Sequence, residues 1–506
     1  MTVLQISPRT ATKKKKKKKK AKKVAKTYPA TKVLDARALL VVNRFTGGWT
    51  PGLGAEVTRS GGIDKWFAKQ LSPASLPDTF YDSSATWWSS NLAPALTTIA
   101  RHYAGTENVW EANAHYQAWS MIRRIGSERQ VLETMANFWE HHFHVPTDGG
   151  QTGAYRQEYG RLIRRLALGK FDELLNAVST DPAMGAFLGN ATSTKSAPNE
   201  NQGRELLELH TVGREAGYTE DDVKSSARIL TGWRVDLWNT WVAAYNPAAH
   251  WTGPVKVLGF SHANTSSDGR AVTKAYLDYL ARHPSTARRL ARKLAVHFVS
   301  DAPSNGLVEH LASVYLANDT AIAPVLKALV ASAEFKASAG KKTRTPEEDV
   351  IATYRALGVK ITRPTTDEAA ANAILWQANQ IGMTPFGWPR PDGRPDVASA
   401  WTSVSRMLSS FEVHYTMSGG WWPDKGASYK KPSGWLPKAS LRFDALVDHL
   451  SRSILGRPST PFLLKVASQA TGIPAAATIT AKHDLVRWQM PRLLTVFLDN
   501  PLHIGR

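Results

Sequence analysis

Two carboxylates three residues apart form the pair in this sequence best suited to acid–base chemistry. Glu205 and Glu208 lie in the segment NENQGRELLELHTVG at 199–213. At ~100° per residue, a regular helix places both acids on one face with Asn201 and Arg204. Such a face suits a general base with a polar neighbour, or two metal ligands. It suits a structural network of arginine and carboxylates as well, because buried charges are normally paired. The candidate catalytic residues are therefore Arg204, Glu205 and Glu208.

Histidines supply the neutral nitrogen ligands that a divalent metal ion would need. In FWEHHFH at 138–144, helical spacing turns His142 toward the apolar side. His250, in a loop before a glycine, is the second candidate metal ligand. A lone inward histidine is more often a hydrogen-bonded core residue than a ligand. His210 falls on the far side of its helix from the two acids, so a regular helix excludes one ion bound by all three.

The sequence lacks several signatures of common enzymes. It contains no cysteine, which excludes disulfides, thiolate metal sites and cysteine nucleophiles. It also contains no Walker loop, no GxGxxG after a strand, no HExxH and no GxSxG. One functional hypothesis is therefore a metal-assisted hydrolase or oxidoreductase that uses Glu205, Glu208 and His142, with a divalent metal as its cofactor.

The first-ranked hypothesis rests on a run of lysines near the start of the sequence. Residues 1–32 hold thirteen basic residues and no acid, whereas the rest has 51 basic against 42 acidic residues. Mutual repulsion without apolar surface predicts a disordered arm, and such an arm attracts polyanions or acidic surfaces. The protein would then be a scaffold or surface-associated protein; a solvated tail without a partner is the alternative. The predicted polyanion-binding residues are Lys13, Lys14, Lys15, Lys16, Lys17, Lys18, Lys19, Lys20, Lys22 and Lys23.

Helical periodicity dominates from about residue 33 to the end. The fold class predicted is all-α: one many-helix globular domain over 33–506, after an arm at 1–32. Long irregular loops are expected at 234–266, which could hold a short hairpin, and at 384–437, which is rich in Pro, Gly and Trp. Helices are predicted near 107–125, 127–145, 154–168, 268–282, 284–299, 305–317, 347–357, 366–380, 397–416, 441–454 and 481–498.

Membrane and export signals are not visible in the sequence. No run of 18 uncharged apolar residues occurs, so no transmembrane helix is predicted. The apolar stretch at 33–42 is interrupted by Asp35 and Arg37, and no small-residue cleavage site follows it. A secretory signal is therefore not predicted, and a cytoplasmic location is expected rather than export.

Several strings resemble one bacterial protein family in order along the chain. They are NRFTGGWTPG, FWEHHF, NENQGRELLELHTVG, GYTEDDVKSSARILTGW, HWTGPVKVLG and the Pro/Trp string at 385–401. Together they resemble the family called domain of unknown function 1800. The resemblance implies a largely helical protein without an assigned activity, and a sulfatase-like protein as a candidate partner. The sequence differs from the family pattern at Gly203, usually Ala; at Glu140, often His; and at Trp251, commonly Asp.

Overall fold

Helices form almost all of the regular structure in the computed structural model, which describes residues 28–147 and 150–506. The first twelve are α1 (Ala36–Phe45), α2 (Pro51–Arg59), α3 (Ile63–Gln70), α4 (Thr79–Ser84), α5 (Ala95–Tyr103), α6 (Val109–Gly126), α7 (Gln130–His142), α8 (Arg156–Leu166), α9 (Phe171–Ser179), α10 (Pro182–Phe187), α11 (Glu200–Glu205) and α12 (Glu220–Leu230). The next twelve are α13 (Arg270–Ala281), α14 (Pro284–Phe298), α15 (Asn305–Ala317), α16 (Ile322–Ala331), α17 (Ala333–Lys336), α18 (Pro346–Leu357), α19 (Ala370–Ile381), α20 (Val404–Ser418), α21 (Phe443–Leu455), α22 (Pro461–Thr471), α23 (Met490–Leu498) and α24 (Pro501–Ile504).

Strands in the described part of the chain occur as four antiparallel pairs. They are β1 (Trp233–Val235) with β2 (Ala243–Tyr245), β3 (Val255–Val257) with β4 (Phe260–His262), β5 (Lys360–Ile361) with β6 (Ala427–Ser428), and β7 (Ser440–Arg442) with β8 (Thr478–Thr480). Each strand has two or three residues, too few for a sheet that could bury a core of its own. The predicted all-α class is confirmed.

The two segments predicted as long loops contain more regular structure than expected. Residues 234–266 hold two hairpins, β1–β2 and β3–β4, where one was considered. Residues 384–437 contain the fifteen-residue helix α20. This helix begins later than the predicted residue 397 because the Ser403 hydroxyl accepts a hydrogen bond from the Arg406 amide at 3.2 Å. Pro and Gly content therefore marked the flanks of the helix rather than the whole segment.

Capping residues explain where several helices begin. Thr219 and Asp222 form the predicted capping box at the start of α12, with the Asp222 carboxylate accepting from the Thr219 amide at 2.8 Å. Asn199 caps α11 through the Asn201 amide at 2.9 Å, as its sequence position predicted. None of the helices in the described part of the chain has both the length and the apolar content to cross a membrane.

Apolar residues collect in two clusters with a charged layer between the helices that carry them. The first cluster takes residues mainly from α1–α3, α7–α9 and α12–α16, and the second from α6 and α18–α23. Buried ion pairs join these helices: Arg123 of α6 to Glu133 of α7 at 3.1 Å, and Arg124 of α6 to Glu347 of α18 at 3.0 Å. Because buried charges destabilise a fold unless they are paired, this layer fixes how the two clusters meet.

Candidate functional site

A cavity of about 320 Å³ lies at one side of the charged layer. Three segments form its walls: the end of α7, one face of α14, and the loop between α19 and α20. We call it the cationic cavity. Its lining residues are Phe138, His141, His142, Arg289, Arg292, Lys293, Val296, His297, Asp392, Arg394 and Asp396. Its size falls at the lower end of the range of small-molecule sites.

Helix α14 gives the cavity most of its charge because five of its residues repeat at helical spacing. The residues at 289, 292, 293, 296 and 297 follow the i, i+3, i+4, i+7, i+8 pattern of one helix face. The opposite face of α14, with Leu290 and Leu294, packs into the first apolar cluster. The amphipathic pattern therefore directs a row of cations at the cavity.

Three cations at this cavity have no acidic partner among the residues that the structure describes. The Arg289 guanidinium donates to the Leu209 carbonyl at 3.3 Å, and Arg292 donates to the Asn305 side-chain oxygen at 2.7 Å. The Lys293 ammonium donates to Nδ1 of His142 at 3.0 Å. All three of these acceptors are uncharged, so the nearby acids act on the wall only through longer-range attraction.

Lys293 is a strongly perturbed base of the cavity. Burial, reinforced by the neighbouring Arg289, lowers the pKa of its ammonium to about 7. His142, which accepts its hydrogen bond, is held neutral because burial and then Lys293 lower the pKa of the imidazole. The other His142 nitrogen, Nε2, donates to the His210 carbonyl at 3.1 Å. Lys293 and His142 thus form a hydrogen-bonded pair that leads from the cavity to the backbone behind it.

The two aspartates of the cavity are engaged by other groups. Asp392 accepts from the Trp388 indole at 2.9 Å and pairs with Arg390 at 3.1 Å. Asp396 contacts His297 and pairs with Arg506 at 3.4 Å. Burial raises the pKa of Asp396, but His297, Arg506 and Lys342 together lower it by more, so this carboxylate is charged and engaged by groups outside α14 as well as by His297.

Arg394 closes the inner end of the cavity and is itself neutralised. Its guanidinium pairs with Glu347 at 3.2 Å and donates from Nε to Nε2 of His141 at 3.0 Å. Burial and the adjacent guanidinium lower the pKa of His141 to about 3. The cavity therefore has a paired inner end and an unpaired cationic wall on α14.

The predicted catalytic residues do not line the cavity, although Glu205 and Glu208 lie close enough to interact electrostatically with its residues Asp392 and Arg289. The regular helix predicted for 199–213 is wrong in its second half, because α11 ends at Glu205 and a wider π-helical turn covers Leu206–His210. Arg204 points to the surface, where it pairs with Glu220 at 2.6 Å and with Glu200 at 3.4 Å. Those two partners are the reason it does not join the predicted acid pair.

Glu205 and Glu208 are half-buried rather than enclosed. Glu208 pairs with the largely exposed Arg214 at 2.5 Å. Burial and the neighbouring Glu208 raise the pKa of Glu205. The two acids therefore influence each other as their spacing predicted, but at a partly solvated position. A catalytic role for Arg204, Glu205 and Glu208 stays a prediction.

The two predicted metal ligands occupy different surroundings. His142 lines the cationic cavity with both ring nitrogens in hydrogen bonds. His250 lies in a separate buried position, with Nδ1 2.9 Å from the Thr231 carbonyl and Nε2 3.0 Å from the Asn264 side-chain oxygen. A metal ion at either histidine would have to replace one of these hydrogen bonds. Metal binding by the two together stays a prediction.

A different trio of residues has metal-ligand spacing in the part of the chain described. Asp349, His414 and His503 are buried, and their potential ligand atoms all lie within 4.8 Å of one another. Asp349 also pairs with Arg406 at 3.0 Å, and His414 contacts Asp499 at 2.8 Å. The two aspartates raise the pKa of His414 to about 9, against the effect of burial. A metal ion would have to displace this proton and the contacts to Arg406 and Asp499; without one, the trio forms a buried ion-pair network.

Sequence reasoning missed the residues that give the cavity its charge. Arg289, Arg292 and Lys293 fall in the string ARRLARKLAVHF, whose apolar residues mark the opposite helix face. A search for cations at i, i+3 and i+4 would have found the row, although not its lack of acidic partners. The lysines from Lys13 to Lys23 lie outside the described residues, and their binding of polyanions stays a prediction.

Two of the strings that carry the family resemblance meet at this cavity. FWEHHF supplies Phe138, His141 and His142, and the Pro/Trp string supplies Asp392, Arg394 and Asp396. The family described as "Protein of unknown function (DUF1800)" matches residues 40–502. The chain shows no significant match to curated proteins or to solved structures. Because the match spans nearly the whole chain, this protein belongs to the DUF1800 family.

Proposed function

We propose that the protein binds a small oxyanion, a carboxylate, phosphate or sulfate group of a soluble molecule, in the cationic cavity. The observation that carries the proposal is the row of Arg289, Arg292 and Lys293 on α14, none of which pairs with an acid among the described residues. Arg289 and Lys293 are partly buried, whereas Arg292 is exposed. A partly buried cation without a contacting counter-charge destabilises a fold, and a bound anion would reduce that cost.

The chemistry of the three cations supports an oxyanion. The planar guanidinium groups of Arg289 and Arg292 can each donate two parallel hydrogen bonds to the oxygens of one anionic group. Lys293 adds a point charge deeper in the same wall. Phe138 and Val296 supply apolar surface for the carbon skeleton of a ligand. A pocket with a few charged groups among apolar ones is typical of sites for small organic anions.

Lys293 and His142 would determine where the proton lies when an anion is bound. A bound anion favours the charged form of Lys293, so binding and protonation of this amine support each other. His142 is fixed as an acceptor toward Lys293 by its own donation to the His210 carbonyl. The ammonium is thereby aimed at one place in the cavity before any ligand arrives.

The test is isothermal titration calorimetry of the full chain with sodium sulfate, sodium phosphate and sodium succinate. A charge-assisted hydrogen bond contributes about 1.5–3 kcal/mol, so we expect Lys293→Met to weaken binding about 10- to 100-fold. Lys327→Met is the matched control, because it removes one exposed lysine of α16 outside the cavity. The three titrations also show whether the anionic group is a carboxylate or a phosphorus or sulfur oxyanion.

Two outcomes would contradict the proposal. One is that none of the three anions binds to the wild-type chain. The other is that Lys293→Met and Lys327→Met weaken binding by the same factor, because the effect would then come from net charge rather than from the cavity.

A further inference from the structure

A second cavity, of about 380 Å³, lies beside the β1–β2 hairpin. Its walls come from the end of α9, the start of α10, the turn at 190–192 and the two strands of the hairpin. We call it the hairpin cavity. Its polar and aromatic lining residues include Ser179, Asp181, Asn190, Trp233, Tyr245 and Arg270, and its small ones include Gly185, Ala191 and Ala244. None of them lines the cationic cavity.

Three polar atoms of this lining are buried without a hydrogen-bond partner. They are the Ser179 hydroxyl, the side-chain oxygen of Asn190 and the indole nitrogen of Trp233. The orientation of Asn190 is defined, because its amide nitrogen donates to the Leu230 carbonyl at 3.0 Å. Each unpartnered buried polar group costs on the order of 1–3 kcal/mol. The residues that line this cavity thus carry three polar atoms that ordered water or a ligand, rather than the protein, can satisfy.

The three groups differ in what they require. Trp233 can only donate, the Asn190 oxygen can only accept, and the Ser179 hydroxyl does both. A simple anion satisfies donors alone, and a cation satisfies acceptors alone. A ligand that carries several hydroxyl groups satisfies all three, because each hydroxyl donates and accepts.

Asp181 adds a fourth polar group with the same dual ability. One of its oxygens caps α10 by accepting from the Ala183 amide at 2.8 Å. Burial raises the pKa of this carboxyl to about 7. Near neutral pH the group therefore exists both as a donor and as an acceptor, which again matches a hydroxyl.

Small and aromatic residues give the hairpin cavity its shape. Gly185, Ala191 and Ala244 have little or no side chain, which leaves the volume open. Trp233 and Tyr245 lie edge to face with ring centroids 5.1 Å apart. Aromatic surface beside hydroxyl-binding groups suits a ring that is apolar on its faces and polar at its edge.

We propose that the hairpin cavity binds a pyranose sugar ring through Ser179, Asn190, Trp233 and Asp181. The charges around it are compatible with a neutral or an acidic sugar: Arg270 is paired with Asp268 at 2.6 Å, whereas Arg234 donates to the Ser193 carbonyl at 3.4 Å. The site is independent of the cationic cavity and does not depend on what that cavity binds.

The absence of cysteine provides a direct test, because one engineered thiol reports on one position. Ala244→Cys places a thiol at an exposed position that lines the hairpin cavity, and Ala248→Cys places one at an exposed position that does not line it. We expect glucose, galactose or glucuronate to slow the reaction of the first thiol with a maleimide and to leave the second unchanged. Protection by glucuronate alone would assign an acidic sugar, and protection by a neutral sugar would assign a neutral one.

A second variant separates binding from folding. Ser179→Ala in the Ala244→Cys background removes a hydroxyl that has no partner, so the unfolding midpoint should stay the same or rise. The sugar concentration needed for half-protection should increase about three- to tenfold, the loss expected for one neutral hydrogen bond. Trp233→Phe should do the same by removing one donor.

The proposal is overturned if none of the three sugars protects the Ala244→Cys thiol. It is also overturned if both thiols are protected alike, or if Ser179→Ala and Trp233→Phe leave the half-protection concentration unchanged.

Discussion

The Asp349 network and the cationic cavity contain the same residue types, but the cations of the network contact acids and those of the cavity wall do not. Around Asp349, two cations lie within ion-pair distance of the carboxylate: Arg406 at 3.0 Å and His414 at 3.2 Å. Along the cavity face of α14, Arg289 and Lys293 meet only uncharged acceptors. Both regions border the same charged layer. The number of histidines and arginines therefore does not identify a binding site; a cavity lined by cations that contact no acid is the more specific signal.

The pKa values express the same difference. In the Asp349 network, the neighbouring carboxylates overcome burial and raise the pKa of His414 to about 9. In the cavity, burial is unopposed by a contacting acid and lowers the pKa of Lys293 to about 7. The first region stabilises charges that the fold needs. The second keeps a charge that becomes favourable only when an anion arrives.

The largest change in stability is expected on substitution of Asp349, the carboxylate at the centre of the buried ion-pair network. Asp349→Asn keeps the size of the side chain but removes the carboxylate that Arg406 and His414 share, leaving His414 with Asp499 alone. We expect the free energy of unfolding to fall by about 3–5 kcal/mol, the usual cost of breaking a buried ion pair. Urea unfolding followed by circular dichroism measures it. Glu412→Gln on the exposed face of the same helix, α20, is the control and should change stability by less than about 0.5 kcal/mol.

Substitution of Lys293 in the cationic cavity should raise stability rather than lower it. Lys293→Met replaces a confined ammonium by an apolar side chain of similar length. We expect the free energy of unfolding at neutral pH to rise by on the order of 1 kcal/mol, because no acidic partner is left behind. The same urea titration, in a buffer without multivalent anions, measures it. A loss of stability comparable to that of Asp349→Asn would show that Lys293 belongs to the structural network.

The dependence of stability on pH should separate the two regions further. The folded pKa of His414 lies above its ordinary value of 6.5, so its stabilisation is complete below pH 6.5 and is lost as the pH rises through about 9. The folded pKa of Lys293 lies below its ordinary value of 10.5. Its destabilisation is therefore complete below about pH 7 and disappears as the pH rises toward 10.5.

Difference measurements make this testable. The stability lost in His414→Gln should shrink between pH 6.5 and 9, and the stability gained in Lys293→Met should shrink between pH 7 and 10.5. Both differences would approach zero from opposite sides. Differences that do not change over these intervals would mean that neither group has the pKa described.

Local sequence signals predicted the helices well. The helix expected at 305–317 matches α15, and that at 284–299 matches α14 to within one residue. The capping box at Thr219 and Asp222 was predicted from spacing alone. These successes share a cause, because helical periodicity and capping depend on residues within one turn of each other. A single domain from residue 33 onward stays a prediction.

Residues of the cavity were predicted only where the spacing within a single helix determines the direction of the side chain. His142 was correctly placed on the inward side of α7, and it lines the cavity. Its neighbour Lys293 lies 151 positions away in sequence, and Arg394 reaches the same cavity from another loop. Long-range contacts of this kind leave no trace in spacing. Nor could the composition of 199–213 show that the helix widens after Glu205 and that Arg204 turns to the surface.

The smallest change in stability is expected for Arg204, which was predicted from the sequence to be a catalytic residue. Arg204 pairs with Glu220 and Glu200, and its side chain is 35% exposed. Exposed pairs of this kind contribute about 0–1 kcal/mol, so Arg204→Ala should lower stability within that range. Affinity for sulfate should not change, because Arg204 does not line the cationic cavity. If Arg204→Ala instead weakened anion binding as much as Lys293→Met, the distinction between paired and unpaired cations would fail as a guide to this protein's site.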